Sequence, residues 1–265
     1  MREKLEFIGL NKRNYFIHSH SPLQTNRETI IFFNPMFDEK KRVQKFQCET
    51  ARALCRLGYT VIRFDYYGTG DSGGDTFEFD FSTVYSDFSY LIDHIKNTFS
   101  PEGIILFGIR LGADLALMNS ISEPTIKHLI LVEPIIDGKR YLLELRMRKK
   151  LFYNLNKIQS NKEQLLIQEQ KFEDFQGYPM SFENLAYLEK MNLSDSNIID
   201  KSVTIFKTNS ISNKKLVVKF KEKIEIKKSS SVNIHYVDCP EFWAALESVD
   251  TSTLTQQIIT FISNN

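Results

Sequence analysis

The sequence predicts an α/β fold: a mostly parallel eight-stranded sheet with helices on both faces and one helical insertion. Three observations predict it. Short apolar, β-branched runs alternate with helical patterns along most of the chain, as successive strand–helix–strand units require. The alternation breaks once, between Pro134 and about Lys201, where helical patterns continue without a clear strand. A Gly-x-Arg-x-Gly turn, Gly108 to Gly112, joins a buried apolar run directly to a helical pattern.

The elements follow in order. Leu5–Gly9 and Tyr15–His18 are strands of an opening hairpin, and Thr29–Phe33 is a buried strand ending at Asn34-Pro35. Val43–Leu57 is a helix closed by Gly58, a residue suited to the left-handed conformation just past a helix end. Thr60–Phe64 is a strand that runs into the turn-rich loop Asp65–Gly74. Thr83–Asn97 is a helix, Gly103–Phe107 a strand, Leu111–Ser120 a helix and His128–Val132 a strand. After the interruption the pattern resumes with strand Val203–Lys207, helix Lys214–Ile224, strand Val232–Val237 and closing helix Leu254–Ile262. Residues 1–133 and 202–265 therefore form the core, and residues 134–201 a helical lid over the carboxyl edge of the sheet, where such folds bind ligands.

The 265 residues suit one such domain, and 42% hydrophobic content supplies a core. A formal net charge of +1 gives no field for nucleic acid. Three cysteines make no disulfide framework and point to a reducing compartment. The charged N-terminus lacks a secretory apolar run, and no stretch approaches the roughly 20 apolar residues of a membrane span. The expectation is a cytoplasmic protein with neither cofactor nor metal.

The turn Gly108-Ile109-Arg110-Leu111-Gly112 has the layout of a nucleophile elbow, with arginine where a serine would stand. Its glycines fit a turn so tight that side chains two before and two after the centre would clash. Arginine cannot be the nucleophile: its guanidinium stays protonated and only donates. At a helix N-terminus it can bind an oxyanion, and a nearby carboxylate partner is expected because the dipole opposes a cation there. The other triad members are also missing. The strand Val203–Lys207 leads into Thr208-Asn209-Ser210-Ile211-Ser212, which has no acid. The loop after the last strand reads Asp238-Cys239-Pro240-Glu241-Phe242-Trp243, which has no histidine, and His235 lies within the strand itself. Together these absences argue against acyl-enzyme chemistry by the usual route.

On these blocks the chain resembles the α/β-hydrolases, and within them the second type of hydrolase associated with exosortase-A systems. The resemblance is carried by Asn34–Arg42, by Phe64–Gly74, by the elbow Gly108–Ala113, by Glu133–Gly138 with Leu145-Arg146 and Gly177-Tyr178, and by Pro240–Trp243. It implies that an elbow arginine belongs to a group and that the context is the export or assembly of surface polymers.

Other residues have two readings each. Met36 or Phe37, with Leu111, occupy the positions whose backbone N–H groups form an oxyanion hole. Glu39 either complements the dipole of its helix or pairs with Arg110; Glu241 and then Asp238 are the other candidate partners. Asp65, Asp71 and Ser72 read as turn formers rather than catalysts. Cys239 is inert packing, or reactive if Arg110 lowers its pKa. Arg140, Arg146, Arg148, Lys149 and Lys150 form a solvated face, or an amphipathic surface for an anionic membrane or polymer.

The functional expectation is a binder of a small anionic acyl or ester ligand through Arg110, Met36, Phe37, Leu111 and Cys239, without triad catalysis. The alternative is an active hydrolase or acyltransferase working on an ester or thioester conjugate through other residues. A protein partner docking on the lid is a further expectation.

Overall fold

The computed structural model describes residues 1–265 apart from 11, 26–27, 157–171, 197, 199, 210–213, 227–229, 246 and 265. Strands β1 (Arg2–Leu10) and β2 (Arg13–Ser21) form the opening hairpin, longer at both ends than the apolar runs suggest. Then follow β3 (Glu28–Phe33), α1 (Phe37–Arg56), β4 (Thr60–Phe64), α2 (Phe81–Phe99), β5 (Gly103–Ile109), α3 (Leu111–Ile121) and β6 (Ile126–Val132). Between β6 and the next sheet strand lie α4 (Gly138–Asn156), the short strands β7 (Phe172–Asp174) and β8 (Pro179–Ser181), and α5 (Phe182–Lys190). The chain closes with β9 (Ser202–Lys207), α6 (Lys214–Ile226), β10 (Ser231–Tyr236) and α7 (Ser252–Ser263).

Eight strands form one sheet in the order β1-β2-β4-β3-β5-β6-β9-β10. Strand β2 is antiparallel to β1 and β4, and every other pair is parallel. Alternate residues of the central strands serve opposite faces. Ile30, Phe32, Ile105, Phe107, Ile130 and Val132 pack under α1 and α7, whereas Ile31 and Leu106 face α2 and Leu129 and Leu131 face α3 and α6. Burial on both faces explains why these strands read as unbroken apolar runs.

Two elements differ from the sequence reading. Helix α1 begins at Phe37, not Val43; the charged run Asp38–Arg42 looks like a loop, but Asp38 and Glu39 lie in the first turn, where the dipole favours them. The segment after β6 contains the hairpin β7–β8, paired apart from the main sheet. Strands of three residues show no period, so no pattern announces them. None of the described residues of 134–201 joins the main sheet; its stretch 157–171 lies outside the described residues, as do Ser210, Ile211 and Ser212. Among the described residues no helix is long and apolar enough to cross a membrane.

Candidate functional site

The elbow follows from its two glycines. A Cβ on Gly108 would be driven into the backbone of Gly112 and Ala113, and one on Gly112 into the carbonyls of Phe33 and Asn34. Helix α3 can thus start one residue after β5 only with glycine at both places. Arg110 between them has φ 54° and ψ −126°, a conformation that L-residues rarely adopt unless their surroundings impose it. It is held by its own N–H, donating to Val132 O at 2.9 Å, and by its carbonyl, accepting from Ala113 N at 2.9 Å. Phe37, which opens α1 after the loop from β3, and Glu133, directly after β6, also have positive φ. Three strained residues therefore line one carboxyl edge of the sheet.

Arg110 is fully buried. Its Nε and Nη2 donate to Glu39 Oε2 and Oε1 at 3.2 and 3.3 Å, and Nη2 also donates to Glu144 Oε1 at 3.2 Å. Arg148 closes the ring: its Nη2 donates to Glu39 Oε1 at 2.7 Å and to Glu144 Oε1 at 2.6 Å. Two aromatic rings flank the guanidinium, Trp243 at 4.9 Å and Tyr141 at 5.5 Å from its Cζ. Burial opposes the charge, but Glu39 and then Glu144 outweigh it, and the pKa of Arg110 lies above its ordinary value. Arg110 Nη1 and the Tyr141 hydroxyl are buried without a hydrogen-bond partner among the described residues. The outcome is a cation–anion lattice that fastens α4 to α1 and closes the elbow.

Of the carboxylates named as partners, Glu39 is the one bonded to Arg110. Asp238 instead accepts from Asn209 Nδ2 at 2.5 Å, and Glu241 is exposed. Sequence reasoning missed Glu144 and placed Arg148 in a solvated basic run. Their i,i+4 spacing on α4 was the available signal, because it puts both on one helix face. It also missed the buried pair Glu133–Lys207, 2.6 Å apart, whose carboxylate further accepts from the Thr208 N–H at 2.6 Å and hydroxyl at 2.9 Å. A lysine ending an otherwise apolar strand was the hint. The basic run on α4 is divided: Arg148 turns inward, Arg146 pairs with Glu173 at 2.7 Å, and Arg140 and Lys150 remain exposed.

The remaining candidates make no hydrogen bond to the Arg110 side chain, whose bonds go to Glu39 and Glu144. Cys239 is buried in the layer between the sheet and α1 and α7. Burial, with Asp250 and Asp238, pushes its thiol up to about 11, opposite to the activation an adjacent cation would give. Leu111 is buried in the core. His235 stacks on Phe206 with ring centroids 5.1 Å apart. Asp65 is a turn organiser: it accepts from Asn34 Nδ2 at 3.1 Å and the Asp71 N–H at 2.8 Å, and pairs with Lys40 at 2.6 Å. Ser72 donates to Asp65 O at 2.7 Å and accepts from Phe16 N at 2.9 Å.

A cavity of about 490 Å³ opens beside the elbow, between the loop after β3 and the loop after β4. Met36 and Phe37 line it; Arg110, Leu111 and Cys239 do not. Apolar walls come from Phe79, Pro179 and Met180, and cations from Lys40, Lys41 and Arg63. Asn34 anchors the first loop: its Nδ2 donates to Phe64 O at 2.5 Å, and its Oδ1 accepts from Gln47 at 2.9 Å.

This strand order, with a strained residue between β5 and α3 at the switch from strand to helix, defines an α/β-hydrolase. The serine aminopeptidase family S33 has a model that matches residues 24–185, more than half of the chain, and the chain belongs to that family. Solved structures agree on the fold. Est1E from Butyrivibrio proteoclasticus, with ferulic acid bound, superposes with a TM-score of 0.67 at 14% identity, over 98% of each chain. DcsB, in complex with a substrate analogue, gives a TM-score of 0.68 at 12% identity, over 99% of this chain and 97% of its own. An alpha-beta serine hydrolase homologue from Coxiella burnetii gives 0.58 at 14%, over 100% and 98%. No curated protein sequence matches the chain significantly.

Proposed function

We propose that the chain is a non-hydrolytic α/β-hydrolase that holds a small anionic acyl or aryl ligand in the cavity beside its elbow. One observation carries this reading: the nucleophile position holds Arg110, bonded to Glu39 and Glu144 and closed to solvent, while a cavity of about 490 Å³ remains open next to it. That volume lies within the usual range for small-molecule sites, roughly 300–1,000 Å³. Arg110 serves the site indirectly. By fixing Glu39 it sets the first turn of α1, which carries Lys40 and Lys41 to the cavity wall. Lys41, whose Nζ lies 5.5 Å from the centre of the Tyr178 ring, is the exposed cation for a ligand carboxylate. Met36, Phe37, Phe79 and Met180 supply apolar surface for its acyl or aryl part.

Ferulic acid, bound by one structural relative, has this chemistry and is a reasonable first probe beside hexanoate. Calorimetric titration is expected to show binding that Lys41→Glu weakens at least about tenfold, the loss of one cation–carboxylate contact. A fluorophosphonate probe is expected to leave the protein unlabelled, and nitrophenyl acetate to be turned over no faster than in buffer. Labelling, or turnover at ordinary esterase rates, would favour hydrolase or acyltransferase chemistry through another residue and overturn the non-hydrolytic reading. Unchanged binding in Lys41→Glu would move the ligand elsewhere.

A further inference from the structure

The edge of the sheet away from the elbow carries a second cluster. Residues two apart on a strand share a face, so His18 and His20 of β2 project together, and their rings stack with centroids 4.2 Å apart. In the β1–β2 register Glu3 lies directly opposite His20 and diagonal to His18. Its carboxylate is 3.1 Å from His18 Nε2 and 3.7 Å from His20 Nδ1. One ligand atom from each of the three residues lies within 4.8 Å of the others. Bonds of about 2.0–2.2 Å to one zinc-sized ion would join such atoms with small side-chain adjustments.

His20 is the unexplained member. Its side chain is fully enclosed, and neither ring nitrogen has a hydrogen-bond partner among the described residues. A buried imidazole is ordinarily bonded through at least one nitrogen, and here Glu3 Oε1 stops 3.7 Å short of Nδ1. Two arginines adjoin the cluster. Arg52 donates to both Glu3 oxygens at 2.8 and 3.3 Å from a largely exposed position, and Arg63 Nη1 lies 3.4 Å from His18 Nδ1. Arg52 thus occupies the carboxylate that a cation would use, and its exposed side chain can leave to solvent.

We propose that Glu3, His18 and His20 form a binding site for one divalent transition-metal ion of the zinc class, displacing Arg52 and clamping β1 to β2. Two imidazoles and one carboxylate are the donor set that borderline metals select over magnesium or calcium. They leave the fourth tetrahedral position open. His18 also lines the large cavity.

The test uses untagged full-length protein and Co²⁺ or Zn²⁺ alone. One equivalent of Co²⁺ is expected to give the visible d–d bands of a tetrahedral site, which Zn²⁺ displaces, and Zn²⁺ is expected to raise the melting temperature. Glu3→Gln and His20→Ala should each weaken binding at least about tenfold. His94→Ala, on helix α2 and outside the cluster, should leave it unchanged. Arg52→Gln should strengthen binding, because it frees the carboxylate. Glu3 is partly exposed, so Glu3→Gln remains informative if His20→Ala fails to fold. No tetrahedral cobalt spectrum in the wild type, equal binding by the Glu3→Gln variant, or weaker binding in Arg52→Gln would each overturn the proposal.

Discussion

Arg110 and Glu39, distant in sequence, face each other through two hydrogen bonds of 3.2 and 3.3 Å with neither side chain exposed to solvent. The guanidinium cannot relieve its burial by losing a proton, so the carboxylate keeps a cation at the elbow. The pair also joins the first turn of α1 to the strained turn after β5, the two places from which the fold builds its active sites.

Restoring serine at the elbow should therefore not restore a hydrolase. Arg110→Ser leaves Glu39 buried beside Arg148 alone and should destabilise the protein by about 3–5 kcal/mol, the range for breaking a buried pair from one side. Replacing both members with well-packed apolar residues, Arg110→Met with Glu39→Leu, should recover most of that loss. Thermal or urea melting of the single and double variants measures the coupling. Equal stability of wild type and Arg110→Ser would show that the pair contributes nothing.

The outer half of the network should behave differently. Glu144 and Arg148 are partly exposed, so solvent and salt screen them. Glu144→Ala is expected to cost about 1 kcal/mol or less, with a smaller loss at high salt. A loss as large as that of Arg110→Ser would mean that Glu144, not Glu39, is the principal counter-ion.

Gly112→Ala adds a single methyl group, yet its Cβ would meet the carbonyls of Phe33 and Asn34, which belong to backbone rather than a movable side chain. The expected loss is about 3 kcal/mol or more, at the upper end for overpacking. A melting temperature within a degree of wild type would show that β3 and α3 can separate.

The fold was legible because strands buried on both faces leave unbroken apolar runs, such as Ile30–Phe33 and Leu129–Val132, alternating with helical patterns along the chain. The elbow was legible because sterics alone require Gly108 and Gly112. What could not be read was which charges turn inward. Arg148 and Lys149 are neighbours in a basic run, and only the tertiary placement of α4 brings Arg148 to Glu39 in the first turn of α1. Glu133 and Lys207 lie at the ends of adjacent strands β6 and β9, so their pairing depends on a strand order that local pattern does not state. The closure of the elbow could not be read for a related reason: a strand–turn–helix motif locates the turn, but the side chains of Tyr141, Glu144 and Trp243 decide whether it stays open.

Thiol reactivity should rank by burial. Cys48 lines the cavity and is half-buried, whereas Cys55 and Cys239 are buried. Burial pushes both of these thiols up, Cys239 to about 11. In native protein at neutral pH, Ellman's reagent is expected to modify Cys48 first, with Cys55 and Cys239 reacting only on unfolding. Rapid loss of the Cys239 thiol in a Cys48→Ser variant would contradict this ranking and revive a reactive role for that loop.

Asp114 gives the last prediction, because two effects oppose each other there. It lies in the first turn of α3, where the helix dipole favours a negative charge by roughly 0.3–1 kcal/mol at exposed sites. It is also wholly buried. Its Oδ2 accepts the Ile135 N–H at 3.0 Å, while Oδ1 has no partner among the described residues. Burial is the larger effect, opposed in part by the Ile135 hydrogen bond and by Arg110, and the carboxyl pKa is raised well above its ordinary value. Below about pH 4, the ordinary aspartate range, both folded and unfolded chains hold the proton and the group does not affect stability. Above it the unfolded chain releases the proton while the folded chain retains it, so the contribution of Asp114 becomes unfavourable as pH rises towards the folded pKa. Asp114→Asn removes this titration and keeps an oxygen for Ile135. Its melting temperature should match that of the wild type near about pH 4 and exceed it by a margin that widens towards neutral pH. A margin that narrows or reverses over that range would mean that Asp114 is ionised in the folded protein, held so by Arg110 across the elbow.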